Sequence, residues 1–359
     1  VDLASLLLFT KQAGGSDLHV SAGAPVMVRV HGDMRRLETD AGAPPVDTTP
    51  EGVRALVFAL LTEDQRKRLE VERELDLGLS LGSRARFRAN VFFHERGVGA
   101  VFRVIPTRVQ TCEELGMPTS LQALADLREG LVLFVGASGT GKSTSMAAIV
   151  DRINSTRRAH IITIEEPIEF VHEPRLSLVS QRSVGLHTRS FAGALRSALR
   201  ENPDVILVGE MRDLETISLA IKAAETGHLV LATLHTPNAS KTVERIINVF
   251  PPAEQAQVRA LLADTLRAVV AQMLLPRGDG HGRIAVHEVL VATSGARALI
   301  RDGKTHELPT AIQLGGQYGM QSFEQAIARL QHDALIDRDV AAHALLAVQP
   351  ERGAKVRAG

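Results

Sequence analysis

The sequence predicts an α/β fold: a mostly parallel sheet carrying a phosphate-binding loop, preceded by a small α+β domain. Three observations carry this. Short runs, apolar on both faces, recur at Leu131-Val-Leu-Phe-Val, Ile161-Ile-Thr-Ile, Val205-Ile-Leu-Val and Leu229-Val-Leu-Ala-Thr-Leu, with helical patterns between them. Strands of that kind belong to a parallel sheet covered by helices on both sides. A glycine-rich segment ending in Gly-Lys-Ser follows the first run directly. Before residue 105 the texture differs, with alternating strands and short helices.

Taken in order, Leu3 to Ala13 has helix-compatible apolar spacing and ends at Gly14-Gly15. Asp17-Leu-His-Val alternates polar with apolar, and Val26-Met-Val-Arg-Val reads as a strand before a turn at His31-Gly32-Asp33. Residues 41–50, AGAPPVDTTP, are a loop by composition, and Thr49-Pro50-Glu51 opens a helix that includes Val53, Leu56, Val57 and Leu60. ARFRANVFF, from Ala85, puts Ala85, Phe87, Ala89, Val91 and Phe93 on one face and Arg86, Arg88 and Asn90 on the other. A turn at Glu95-Arg-Gly-Val-Gly returns it through Ala100-Val-Phe-Arg-Val-Ile. The expected boundaries are a first domain over 1–104, a linker over 105–118 and a nucleotide domain over 119–359. From about Pro252 the pattern reads mostly helical, with breaks at Gly315-Gly316 and Gly319 and a frayed end, ERGAKVRAG.

Composition narrows the function. At 359 residues the chain suits two domains or three. Lys+Arg and Asp+Glu both total 41, so no global field holds nucleic acid or an acidic membrane, and neither nucleic-acid binding nor membrane insertion is expected. With Trp 0 and Tyr 1 there is no aromatic platform for stacking single-stranded bases. One cysteine, Cys112, excludes a disulfide framework and a Cys-rich zinc module and fits a reducing compartment. No run of about eighteen apolar residues and no basic-then-apolar leader stands out. The expectation is a soluble cytoplasmic protein.

Gly136-Ala137-Ser138-Gly139-Thr140-Gly141-Lys142-Ser143 matches G-x-x-x-x-G-K-[ST] between a buried strand and a helix, with Thr144 next in line. A chance match in such a chain has a probability of about 1%. The glycines let main-chain N–H groups curl inward around phosphates, and the helix N-terminus adds its positive end. Lys142 is expected to bridge the β- and γ-phosphates of ATP, and the Ser143 hydroxyl to hold Mg²⁺. Asp204-Val-Ile-Leu-Val-Gly-Glu210 is a hydrophobic strand ending in a carboxylate that can position Mg²⁺, directly or through water. Glu165-Glu166-Pro167-Ile168-Glu169 ends another buried strand with three carboxylates, one of which can polarise a water; the residues alone do not rank them. His228 and His235 bracket a strand and lie roughly 23 Å apart if it is extended, too far for one ion. His235 shares an edge with Glu210 and is the better γ-phosphate sensor.

These segments resemble a known family. ITIEEPIEFVH looks like the Asp box, DVILVGEMRDLET like the Walker B box, and AETGHLVLATLHT like the His box of the PilT-type secretion ATPases. GGSDLHVSAG, RFRANVFFHERGVGAVFRVIP and IQLGGQYGMQSFEQAI extend the likeness over nearly the whole chain, and GARALIRD resembles the C-terminal motif of retraction motors. The resemblance implies a PAS-like first domain, a RecA-like ATPase domain and a homohexamer that hydrolyses ATP to retract type IV pili at the cytoplasmic face of the inner membrane. Its implied partners are a PilC-like platform protein and a PilU-like co-motor. It makes Glu169 the general base, Glu210 the Walker B glutamate and His228 and His235 the His-box pair, with His228 acting across a subunit boundary. Arg88 and Arg103 become fingers that close over the phosphates, and Arg196 and Arg200 arginines of the nucleotide domain.

On physics alone, Arg88 sits on a solvated strand face, and Arg196 and Arg200 share a helix face where pairing with Glu201 or a neighbour competes with nucleotide contact. Asp17 and His19 read as structural. Two departures stand out: Glu166 replaces the usual aspartate, and Gly295, Ala296 and Ala298 replace Ala, Ile and Asn in the C-terminal motif. Alternatives are an accessory PilU-like ATPase, a related secretion or DNA-uptake motor, a nucleic-acid translocase, and a nucleotide-gated scaffold with little turnover.

Overall fold

The computed structural model describes residues 2–30, 33–37, 46–82, 84–105 and 108–348. The turn expected at His31-Gly32, part of the loop at 41–50 and the terminal ERGAKVRAG lie outside the described residues. The described chain forms two compact units, one of residues 1–108 with 167–171, the other of 109–166 with 172–359.

The first unit orders α1 (Leu3–Gln12), β1 (Asp17–Ser21), β2 (Met27–Val30), β3 (Asp33–Arg36), α2 (Pro50–Phe58), α3 (Glu63–Glu72), β4 (Glu74–Leu81), β5 (Ala85–His94) and β6 (Gly97–Ile105). All strands pair antiparallel in the order β3-β2-β1-β6-β5-β4. The helices begin where side chains can take up free N–H groups: Asp2 caps α1, Thr49 caps α2, and Thr62 with Gln65 forms a capping box on α3. Their apolar stripes bury Leu6, Leu7, Val53, Val57 and Leu69 in one core with Phe87 and Phe102 of the sheet. The alternation in β5 is as expected, with Ala85, Phe87, Ala89 and Val91 buried. β3 and β4 go beyond the expectation. β3 is exposed throughout and carries no apolar signal, whereas β4 alternates Leu75, Leu77, Leu79 and Leu81.

The second unit opens with Cys112 and Met117 buried against Leu121 and Phe134. It continues through α4 (Thr119–Gln122), β7 (Gly130–Val135), α5 (Lys142–Thr156), β8 (His160–Glu165), β9 (Leu178–Ser183), α6 (Phe191–Ala198), β10 (Val205–Val208), α7 (Leu214–Glu225) and β11 (Leu229–Leu234). Then follow α8 (Ala239–Asn248), α9 (Gln255–Thr265), β12 (Leu266–Pro276), β13 (Arg283–Val291), α10 (Ser294–Arg301), α11 (Leu308–Leu314), α12 (Phe323–His332) and α13 (Arg338–Val348). The sheet runs β13-β12-β7-β11-β10-β8-β9 and is parallel except for the β12–β13 pair. Alternate residues of β7 enter two cores: Leu131, Leu133 and Val135 face α6 to α9, and Val132 and Phe134 face α5. That explains why each central strand reads as an unbroken apolar run.

The mostly helical reading beyond Pro252 is corrected here. LRAVVAQMLLP and RIAVHEVLV are the antiparallel strands β12 and β13, and β12 also pairs in parallel with β7. An apolar run following the helical α9 has no periodicity of its own that separates helix from strand, and the edge of β7 decides it.

Candidate active site

Parallel strands bring their C-terminal ends to one edge. In register Val135 lies beside Leu234, Ala232 beside Val208, and Val208 beside Ile164. The segments that follow β7, β11, β10 and β8 therefore emerge together: the phosphate loop, His235, Glu210 and Glu165-Glu166. Ligands of open α/β sheets bind outside the carboxyl ends of the strands.

The loop from Gly136 to Thr144 has the backbone its function needs. Gly136, Gly139 and Gly141 have φ of 140°, 78° and 86°, and a Cβ on Gly136 would meet the Gln272 carbonyl at 2.4 Å. Ala137, Ser138 and Gly139 are exposed, Lys142 is buried, and Ser143 and Thr144 are half-buried in the first turn of α5. Gly141 is the N-cap of α5 and supplies no side-chain acceptor, which leaves the first-turn N–H groups to an anion. The Thr140 hydroxyl donates to the Ala137 carbonyl (2.9 Å), and Lys142 Nζ donates to the carbonyls of Gly136 (2.7 Å) and Ala137 (2.8 Å). A phosphate in the loop would exchange carbonyl partners of Lys142 for charged oxygens.

Two residues that sequence reasoning missed shape this edge. Gln272, buried on β12, donates from Nε2 to the Thr140 carbonyl (2.8 Å) and accepts the Ser145 hydroxyl at Oε1 (2.8 Å), tying the loop to the sheet. Its signal was hidden in the segment read as helix. Arg212 follows Glu210 by two residues, and GEMRD was quoted above only for its glutamate. Its Nη2 lies 2.8 Å from Glu210 Oε2 and its Nη1 3.2 Å from Glu166 Oε2. His235 Nε2 lies 3.2 Å from Glu210 Oε1, so Glu210 and His235 are brought together. Burial pushes the Glu210 carboxyl up, but the Arg212 hydrogen bond and the charges of Arg212 and His235 outweigh it, and the net shift is downward. Glu165 accepts the Thr163 hydroxyl (2.6 Å) and Gln181 Nε2 (3.3 Å).

The other expected residues stand elsewhere. Glu169 is half-buried, between buried Ile168 and Phe170, in the segment 167–171 that groups with the first unit. Arg88 and Arg103 are cross-strand partners on β5 and β6. Arg103 Nε donates to the buried Asp17 at 2.8 Å, which gives Asp17 the structural role expected, and Arg88 lies 4.0 Å from Asp76. His228 is at the opposite end of β11 from His235, with Nδ1 2.9 Å from the Ala223 carbonyl. Arg196 pairs with Glu215 at 2.8 Å, while Glu201 accepts from Arg182 and Ser197 instead; Arg200 is exposed.

A cavity of about 950 Å³ within the second unit adjoins Gly141, Thr144 and Ser145 and reaches Gln272, Leu274 and His287. His287 Nε2 finds no hydrogen-bond partner among the described residues, and burial pushes this imidazole down to about 4, so it is neutral near pH 7. Hard oxygen donors at Ser143 and Glu210 suit Mg²⁺. No group of three His, Cys, Asp or Glu able to hold a metal occurs among the described residues.

Comparison with known proteins assigns the chain to a family. Residues 12–332 match the family model described as Type II/IV secretion system protein. The chain belongs to that family. It is 48% identical to the Type IV pilus retractation ATPase PilT of Pseudomonas aeruginosa, over 94% of this chain and 96% of the relative. It is 43% identical to the Type IV pilus ATPase PilU of the same organism, over 96% and 89%. The crystal structure of the pilus retraction motor PilT with bound ADP superposes with a TM-score of 0.87 at 40% identity, covering 96% of this chain and 97% of that one.

Proposed function

We propose that this chain is an ATP-hydrolysing motor of the PilT type that drives type IV pilus retraction. The observation that carries the reading is the convergence of the Gly136–Thr144 loop, Glu210 and His235 at the carboxyl edge of one parallel sheet. Main-chain amides of the loop hold the phosphates, Lys142 neutralises them, and Gln272 keeps the loop in shape from behind. Ser143 and Glu210 would hold Mg²⁺, which would neutralise charge on the phosphoryl oxygens. Glu169 takes the proton of the attacking water, and Arg88 and Arg103 close over the transferring group with Arg196 and Arg200 in support. His235 reports the state of the γ-phosphate to Glu210, and His228 acts across a subunit boundary.

Work requires that ATP and ADP favour different arrangements of the two units. Six copies in a ring convert successive closures into motion of a PilC-like platform protein, with a PilU-like co-motor alongside, at the cytoplasmic face of the inner membrane. Among the described residues no helix is long and apolar enough to cross a membrane.

ATP turnover by the purified chain tests this. Glu169→Gln should keep ATP binding and lose about 10²–10⁴-fold in turnover, the usual contribution of a general base. Lys142→Ala should lose both. Parent turnover no higher than that of the variants would leave only a nucleotide-gated scaffold.

A further inference from the structure

The carboxylates of Glu166 and Glu210 rise from neighbouring strands, β8 and β10, and one guanidinium joins them. Arg212 gives Nη2 to Glu210 and Nη1 to Glu166, while His235 meets the remaining Glu210 oxygen. Both Glu210 oxygens thus face nitrogen groups, and a cation drawn to this carboxylate must compete with the positive charge of Arg212. The two sets of neighbours differ in how firmly they are held. Glu210 is only 20% exposed, on the loop pinned by the Gly209 N–H to the Ile164 carbonyl and the Met211 N–H to the Thr233 carbonyl. Arg212 is 61% exposed, so it can swing outward without opening a hole in the core. A planar fork of donors suits two carboxylates as a stand-in cation.

We propose that Arg212 is a positioning residue that occupies the cation place between Glu210 and Glu166 until a metal–nucleotide complex displaces it. This rests on the reading of Glu210 as the strand-end carboxylate of the nucleotide site. Arg212 then has two effects: it keeps two nearby carboxylates from repelling each other in the resting chain, and it makes tight binding of a free divalent ion unfavourable. Glu166 belongs to the device because its carboxylate reaches Arg212 at 3.2 Å. Aspartate there, one methylene shorter, would loosen the second anchor.

The test uses the full chain without nucleotide and Mn²⁺ as a paramagnetic probe, with free Mn²⁺ read by electron paramagnetic resonance. Arg212→Gln should bind Mn²⁺ at least about tenfold more tightly than the parent, since removal of the cation leaves Glu166 and Glu210 to a divalent ion. Arg212→Lys, which keeps the charge, should stay near the parent. Glu166→Asp, with Arg212 in place, should move in the direction of Arg212→Gln by a smaller factor. In the double variant Arg212→Gln/Glu210→Gln the gain should vanish. Unchanged or weaker Mn²⁺ binding in Arg212→Gln overturns the proposal, as does a gain that survives loss of the Glu210 carboxylate. ATP binding in EDTA, measured on the same preparations, separates this from the functional reading. A parent that binds ATP while Arg212→Gln shows no Mn²⁺ gain removes only the role of Arg212. A parent that binds no ATP under any condition removes the nucleotide site itself.

Discussion

Single side chains set the electrostatics of the nucleotide unit more than net charge does. The adjacent residues His287 and Glu288 of β13 illustrate it. Burial holds His287 down to about 4, so it resists charging, and its contribution to stability is lost as pH falls from its ordinary range toward that value. Glu288 is the opposite case. Burial, aided by the charge of Glu324, pushes its carboxyl up to about 7 against the N–H bond it accepts from Ala239 at 2.8 Å. A raised carboxyl stabilises the fold fully while it is protonated in both states, and that contribution is lost as pH rises through about 7. Glu288 therefore gives the apparent thermal midpoint a falling contribution between about pH 5 and pH 8, against the rising contribution of His287 below about pH 6.5. Glu288→Gln, a neutral isostere that can still accept the Ala239 N–H, should flatten that part of the slope and be the more stable protein at alkaline pH. Differential scanning calorimetry across the range checks this; parallel curves for parent and variant would refute it.

At the scale of elements, β12 is what makes the phosphate loop rigid. It lies beside β7 and presents Gln272 to both Thr140 and Ser145, so one amide braces the loop and the first turn of α5. Gln272→Ala leaves a part-buried carbonyl and a buried hydroxyl without those partners, which costs about 1–3 kcal/mol. Urea unfolding should show that loss. Nucleotide affinity should fall about tenfold, equivalent to about 1.4 kcal/mol, because the loop must be ordered at the moment of binding. Full affinity in a clearly destabilised variant would mean that the loop keeps its shape without β12.

Across the whole molecule the apolar residues form separate cores, one in the first unit around Phe87 and Phe102, two on the faces of the nucleotide-unit sheet. Phe87→Ala should cost about 3–5 kcal/mol. The loss should appear as faster amide exchange in β1, β5 and β6, with β7, β10 and β11 still protected, when read by hydrogen–deuterium exchange. Equal loosening of both sheets would show that the units share one cooperative transition.

How much of this was legible in the chain follows from what each pattern can encode. Strands β7, β8, β10 and β11 were readable because burial on both faces writes an unbroken apolar run, and β5 because burial on one face writes an alternation. The phosphate loop was readable because only glycine tolerates its backbone. By contrast, β3 has no buried face to leave a mark, and β12 is a strand because the edge of β7 recruits it, with β13 pairing in turn on β12. The pairing of Arg212 with Glu166 joins residues 46 positions apart. Sequence by itself therefore determined the sheet's interior and the phosphate-binding motif, where local chemistry admits one conformation. Only the tertiary structure decided which carboxylate meets which cation and which strand closes the sheet, because those choices depend on neighbours distant along the chain.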